Sequence, residues 1–475
     1  FFGTSIPTIT MVLRQKRERD TVLIVDASKG FVKEGKNNKL RARDIRRIAD
    51  TVIRRESIPN YSKVVEKAEI RENDYNLNIP RYVDSSEKKE SWDIYSTMFG
   101  GIPVKEINEL DKYWEALPGL KEAIFSKTST DYAELRAEDV KQVITRHESV
   151  KEFAEAFNDA FAGFEEFTRD ELLTNTTTVK VTRQEPVLSE DIFNRLKSIP
   201  LIDKYDAYQL LNDQWEIISV DLEVIQTEGF SATKKVEPHM VFKKVKGKEQ
   251  EVQEGWMGRV IPFDLVQETL LAADLQELKD KENRLTEIAS EIDELFDSLS
   301  EEDKEADTVN EAKDSFISSA VSKEAKQLTV EVKKNGNFDE DSYEAVIIKV
   351  DNLLAEQKRL NREVKTKSAE FHNKTKETIE GLTDEQVDEL LELKWITPLI
   401  DSLNNLPKSS LQQLVDKVQL LAEKYSTTFA DITGEIQEVS ESLAAQIDEL
   451  TGSEFDMKGL DEFRALLNGG YHEKK

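Results

Sequence analysis

A chain of 475 residues is too long for one ordinary hydrophobic core, so about three packed units are expected. Without cysteine, and with only His147, His239, His372 and His472 spread far apart, disulfides, thiol nucleophiles and a zinc motif are disfavoured. The formal charge of -29 argues against a surface that wraps DNA throughout.

The charge is unevenly spread. Residues 1–60 hold fourteen Lys or Arg against seven Asp or Glu, a basic head on an acidic body, which suits nucleic acid at one end and solvent or basic protein elsewhere. No apolar run approaches the roughly 20 residues that span a bilayer, and Phe1 to Thr10 lacks the pattern of a signal peptide. A cytoplasmic protein is expected.

Thr8–Leu13 and Thr21–Asp26 read as β-branched strands separated by a charged turn, with residues 29–39 as a loop. Arg43 to Arg55 repeats Ile45, Ile48 and Val52 as a short amphipathic helix. Two strands and one helix cannot bury a sheet by themselves, so they are expected to be the edge of a larger one. Residues 105–200 are predicted helical, with Phe153, Phe157, Phe161, Phe164 and Phe167 as core. Tyr205 to Trp215 reads as a helix, whereas Ile217–Ile225 and Met240–Val245 cluster β-branched residues, giving a small mixed insert.

Beyond Pro262, Leu271, Leu278, Leu285, Ile292 and Leu299 stand seven apart, the spacing of a coiled-coil seam. Val346, Leu353 and Leu360 form a second arm, and the acidic stretch 301–341 between them, with its Asn335-Gly336 turn, predicts an antiparallel hairpin with a mobile tip. Three-and-four spacing from Leu411 through Val418, Tyr425, Ile432, Ile436, Val439 and Leu443 to Leu450 predicts one helix of about 60 Å that needs a partner.

No Gly-x-Ser-x-Gly elbow, phosphate-binding P-loop or Gly-x-Gly-x-x-Gly turn occurs, and with 95 acidic residues no carboxylate pair stands out. No metal site is expected.

The opening Phe1-Phe-Gly-Thr-Ser-Ile-Pro-Thr8, the strand Val22-Leu-Ile-Val-Asp-Ala-Ser28, the stretch Lys39-Leu-Arg-Ala-Arg-Asp-Ile45 and Glu72-Asn-Asp-Tyr-Asn-Leu-Asn-Ile-Pro-Arg-Tyr-Val83 closely resemble the late part of modification subunits of type I restriction-modification systems. Tyr205-Asp-Ala-Tyr-Gln209, Leu393-Lys-Trp-Ile-Thr-Pro-Leu399, Glu423-Lys-Tyr-Ser-Thr-Thr428 and Leu450 to Gly459 look like the C-terminal region of the longer members. The resemblance implies an adenine-specific, S-adenosylmethionine-dependent DNA methyltransferase, of which this chain looks like the C-terminal portion. It implies partners as well: a DNA specificity subunit, a second modification subunit, double-stranded DNA and, for cleavage, a restriction subunit.

The family's glycine-rich cofactor turn and its Asn/Asp-Pro-Pro-Tyr/Phe loop, which holds the flipped base, have no counterpart here. This polypeptide alone is therefore expected neither to bind S-adenosylmethionine nor to methylate DNA, and no catalytic residue is assigned in it. By the resemblance, Phe1, Phe2, Gly3, Thr4, Ile6 and Pro7 rim the target-base pocket. Arg41, Arg43, Arg46, Arg47, Asn73, Asp74, Tyr75, Asn76, Asn78 and Arg81 are candidates for DNA or partner contact. Trp395, Leu411, Val418, Tyr425, Ile432, Ile436, Val439 and Leu443 are candidates for subunit docking.

The expected fold class is mainly α with an α/β remnant: the last strands of a Rossmann-like methyltransferase sheet (1–88), a helical region (89–200), a small α/β insert (201–264), a coiled-coil hairpin (265–382) and a long-helix assembly region (383–475). An independent acidic coiled-coil scaffold or adaptor is the competing reading, weakened by the unused strand pair.

Overall fold

The computed structural model describes residues 9–16, 19–86, 91–136, 139–174, 176–245, 248–336, 338–339 and 342–467. It is mostly helical, with small antiparallel sheets, and it divides into two compact units. One comprises Phe1–Thr168, Thr182–Glu216 and Pro398–Lys475, the other Arg169–Val181 and Ile217–Thr397.

In the first unit, Val22–Val25 is a strand as expected and pairs antiparallel with Ser62–Val65 over a small core of Ile24, Val65, Ile70, Tyr82 and Val83. Ile9–Leu13 does not form the expected strand. Among the described residues it pairs with no strand, and Ile9, Met11, Val12 and Leu13 stay exposed. The expected loop at 29–39 contains a tight hairpin, Val32–Glu34 against Asn37–Lys39, turned by Gly35 at φ +60°.

The helix Ala42–Arg54 forms where predicted, but its packing is inverted. Asp44, Asp50 and Thr51 are buried, whereas Ile45, Val52 and Ile53 are exposed. The Phe stripe is core, with Phe153, Phe157 and Phe164 buried and the Phe157 and Phe161 rings stacked at 4.6 Å.

The single C-terminal helix predicted over 411–450 is two helices, Leu406–Lys424 and Phe429–Asp448. Thr428 and Asp431 cap each other reciprocally: the Asp431 N–H donates to Thr428 Oγ1 at 3.0 Å and the Thr428 N–H to Asp431 Oδ2 at 2.9 Å. That capping box starts a new helix inside an unbroken apolar pattern.

The Ile217–Ile225 segment, read as strand-like, is helical, lying within Lys204–Glu228. Ile218, Leu222 and Ile225 are all buried, and their spacing of four and three is the helical period that the β-branched composition concealed. Lys204–Glu228 begins in the first unit and ends in the second.

The second unit continues with a hairpin, Val236–Val245 against Lys248–Gly258. The helices Ala272–Asp297 and Tyr343–Glu380 then run antiparallel, joined by ion pairs Lys374–Asp274 (2.8 Å), Lys281–Glu363 (2.8 Å) and Arg284–Glu356 (3.2 Å) along a seam that buries Ile288, Leu353 and Leu360. The segment read as a tip contains a third helix, Ser318–Asn335, whose Val321, Ala325 and Leu328 join a core with Phe296, Val346, Ile347 and Val350. Gly336 ends that helix at φ +94°.

Candidate DNA and subunit interface

The predicted pocket-rim residues Phe1, Phe2, Gly3, Thr4, Ile6 and Pro7 lie outside the described residues.

The four helix arginines are brought together, but they face the first unit's own side chains. Arg41 holds Asp44 at 2.9 Å, and Arg43 reaches Asp206 while its N–H donates to Gln209 Oε1 at 3.0 Å. Arg46 pairs with Asp50 at 3.1 Å and lies over the Phe193 and Tyr208 rings at 5.5 and 5.3 Å. Arg47 stacks on Tyr61 at 4.2 Å. Planar guanidiniums with paired carboxylates and rings can serve as a packing face, which explains the inverted helix.

Electrostatics follow this geometry. Against the upward pull of burial, hydrogen bonds from Arg41 hold the Asp44 carboxyl below its ordinary range. Burial, reinforced by Asp50, pushes the Tyr205 hydroxyl up to about 12, and burial with the Glu185 hydrogen bond does the same for Tyr208.

Asn73, Asp74, Tyr75, Asn76, Asn78 and Arg81 form one compact turn. Asn73 Nδ2 donates to Glu69 O at 2.9 Å, the Asn78 N–H donates to Asn76 Oδ1 at 2.9 Å, and the Tyr82 hydroxyl donates to Asn76 O at 2.6 Å. Asp74 and Tyr75 are consecutive left-handed residues, at φ 52° and 57°. Tyr75 holds that conformation with its side chain 67% exposed, a strained display of an aromatic ring.

The docking candidates divide. Trp395 is wholly buried in the second unit, its Nε1 donating to Asp221 Oδ2 at 2.7 Å. Val418 and Tyr425 are buried and Leu411 half-buried within the first unit. Ile432, Ile436, Val439 and Leu443, all on the second C-terminal helix, remain exposed at 44, 61, 67 and 37%.

Sequence reasoning missed the neighbour of this stripe. The helix Ile94–Phe99 packs against Phe429–Asp448 and leaves Trp92, Ile94, Tyr95 and Phe99 exposed. It is fixed by Tyr425, whose hydroxyl accepts the Asp93 N–H at 3.1 Å and donates to Glu106 Oε1 at 2.6 Å. Lys424 also donates to Glu106 at 2.8 Å. Burial pulls the Lys424 ammonium down, but the hydrogen bonds and charges of Glu106 and Tyr425 together outweigh it and hold the group above its usual range. Six residues too short for periodicity, 94–99 carried no signal beyond Asp93 as an N-cap.

The segment through residue 91 offers no cradle for S-adenosylmethionine among the described residues. Its described glycines are Gly30, packed against the Asp44 carboxylate, and Gly35, in the open hairpin turn. Neither forms a glycine-rich turn at a strand end, so no catalytic step is assigned to these residues.

Residues 1–91 match the N-6 DNA methylase family. The type I restriction enzyme MpnII methylase subunit of Mycoplasma pneumoniae is 39% identical over 95 residues, 20% of this chain and 18% of that protein. The MjaVII and MjaVIII methylase subunits of Methanocaldococcus jannaschii are 33% identical over 131 residues and 30% over 128, each covering 26% of this chain and 23 and 21% of theirs. The chain thus spans about a fifth of the length of the curated relatives it matches. No solved structure matches it. Over its first 91 residues, the chain is similar to the N-6 DNA methylases, and the curated relatives it resembles are methylase subunits of type I restriction enzymes.

Proposed function

We propose that this chain serves a site-specific adenine DNA methyltransferase of the type I kind, supplying assembly and DNA-side surface. S-adenosylmethionine is the methyl donor of the intact enzyme in this reading. The partners are a DNA specificity subunit, a second modification subunit, double-stranded DNA and, where cleavage occurs, a restriction subunit. The strained Tyr75 turn is the DNA-facing candidate that keeps an exposed ring.

One observation carries the assembly role. In a chain whose first 91 residues match the methylases, Ile432, Ile436, Val439 and Leu443 form an exposed apolar stripe on one helix. Such a stripe, widened by Ile94 and Phe99, suits a partner helix of the specificity subunit. Both substitutions Ile436→Glu and Val439→Glu should abolish co-purification with the specificity subunit and leave the fold intact. Retained binding by the double variant would refute the docking face. The match over residues 1–91 outweighs the independent-scaffold reading.

No described helix is long and apolar enough to cross a membrane. A cytoplasmic site of action accords with the proposed DNA substrate.

A further inference from the structure

A cleft of about 580 Å³ opens in the first unit between the end of the Ala42–Arg54 helix and the start of Lys204–Glu228. Arg54, Lys197 and Lys204 line it, with Glu190, Asp203 and the Phe193 ring. Arg46 also borders it but is paired with Asp50.

Arg54, Lys197 and Lys204 share the cleft wall with these two acids and make few close ion pairs. Asp203 Oδ1 accepts the Tyr205 N–H at 2.9 Å at the helix start. Among the described residues, Lys197 and Lys204 have no ion-pair partner, and Arg54 has only Glu56 at 4.0 Å. Burial, then the charge of Arg54, depresses the Lys204 ammonium below the usual lysine range against the opposite pull of Asp50, Glu56 and Asp203. Cations crowded together on the wall of an open cleft are stabilised when an anion enters.

We infer that this cleft holds the phosphodiester backbone of duplex DNA through Arg54, Lys197 and Lys204. The inference rests on the methyltransferase reading and relocates the basic contact from the packed arginines to the far end of their helix. Point-charge lysines and a partly exposed arginine hold phosphate without reading sequence, so the cleft fixes position along the duplex.

The test measures duplex binding by this chain assembled with its specificity subunit, across a salt series. Removing three phosphate contacts should reduce the slope of log affinity against log salt by about 2 to 3, at about 0.9 per contact, and weaken binding at least about tenfold at low salt. The variant combines Arg54→Gln, Lys197→Gln and Lys204→Gln, with a melting curve to confirm that the fold survives. In the opposite direction, Glu190→Gln should tighten binding.

An unchanged slope in the triple variant, beside a wild-type assembly that binds duplex, overturns the cleft and leaves the methyltransferase reading standing. A wild-type assembly that binds no duplex overturns that reading instead. Titration with inorganic phosphate and pyrophosphate separates the sources of phosphate. Micromolar binding lost in the triple variant, with an unaffected duplex slope, marks a small-anion site and refutes the backbone assignment.

Discussion

The inverted helix makes Arg46 the sharpest test of whether the helix arginines pack or face DNA. Arg46→Met keeps the aliphatic stem and removes the guanidinium. Three losses follow: the 3.1 Å pair with Asp50, and contacts over Phe193 and Tyr208 at 5.5 and 5.3 Å. A partly exposed ion pair contributes up to about 1 kcal/mol, and each cation–π contact about 0.5–1 kcal/mol. Asp50, only 8% exposed, would retain the Tyr205 hydroxyl at 3.3 Å but lose its cationic partner, an added cost of about 1 kcal/mol. Because these terms overlap, the expected destabilisation is about 2–3 kcal/mol. Urea unfolding read by tryptophan fluorescence should show it as a lower midpoint at constant slope. Duplex affinity, corrected for the folded fraction, should stay unchanged. A stability change under about 0.5 kcal/mol, or a loss of duplex binding by a fully stable variant, would refute the packing role.

Within the C-terminal pattern, Val418→Ala should cost about 2 kcal/mol by losing two buried methyl groups, whereas Ile436→Ala should change unfolding by less than about 0.5 kcal/mol; equal effects would contradict the division into core and surface. Glu106→Gln strips the carboxylate from a Lys424 that is only 13% exposed, so a destabilisation of about 2–4 kcal/mol is expected by calorimetry. Gly258→Ala would drive a Cβ into the Ile261 carbonyl oxygen, and backbone must move, at a cost of about 3 kcal/mol or more; a wild-type melting temperature would show the close approach to be absent. His372 Nε2 accepts the Trp256 N–H at 2.9 Å, and burial, then His239, keeps the imidazole below its usual range. The neutral ring belongs to the folded state, so this stabilisation is complete above about pH 6.5 and declines as pH falls through that value toward the depressed native one. His372→Gln, which keeps an acceptor, should flatten stability between about pH 7 and 5, and a profile identical to wild type would exclude the effect.

Element type was most legible where one period dominated. The seven-residue spacing from Leu271 to Leu299 and the row through Leu353 and Leu360 correspond to two long antiparallel helices, because leucines in that rhythm have one economical way to be covered. Boundaries set by single polar groups were harder to see. Thr428 and Asp431 form a capping signal, but it lay inside the apolar spacing from Leu411 to Leu450 that argued for continuity. Orientation was the hardest, since periodicity locates two faces and does not say which is inside. At 42–54 the choice fell to Arg46, Arg47 and their ring partners more than 140 residues away, Tyr205 and Tyr208, which no local reading brings together. The docking list shows the same limit: Val418 and Ile436 obey one pattern, and only the tertiary neighbours of Val418 bury it.

The outward-facing Ile45, Val52 and Ile53, with Ile9, Met11, Val12 and Leu13 exposed on the same unit, also bear on how the protein behaves in a test tube. Exposed together, these side chains should favour self-association despite the large negative charge, because repulsion between acids is screened beyond about 10 Å at ordinary salt. Raising ionic strength to release nucleic acid during purification would therefore favour clumping, and low salt should preserve monodispersity.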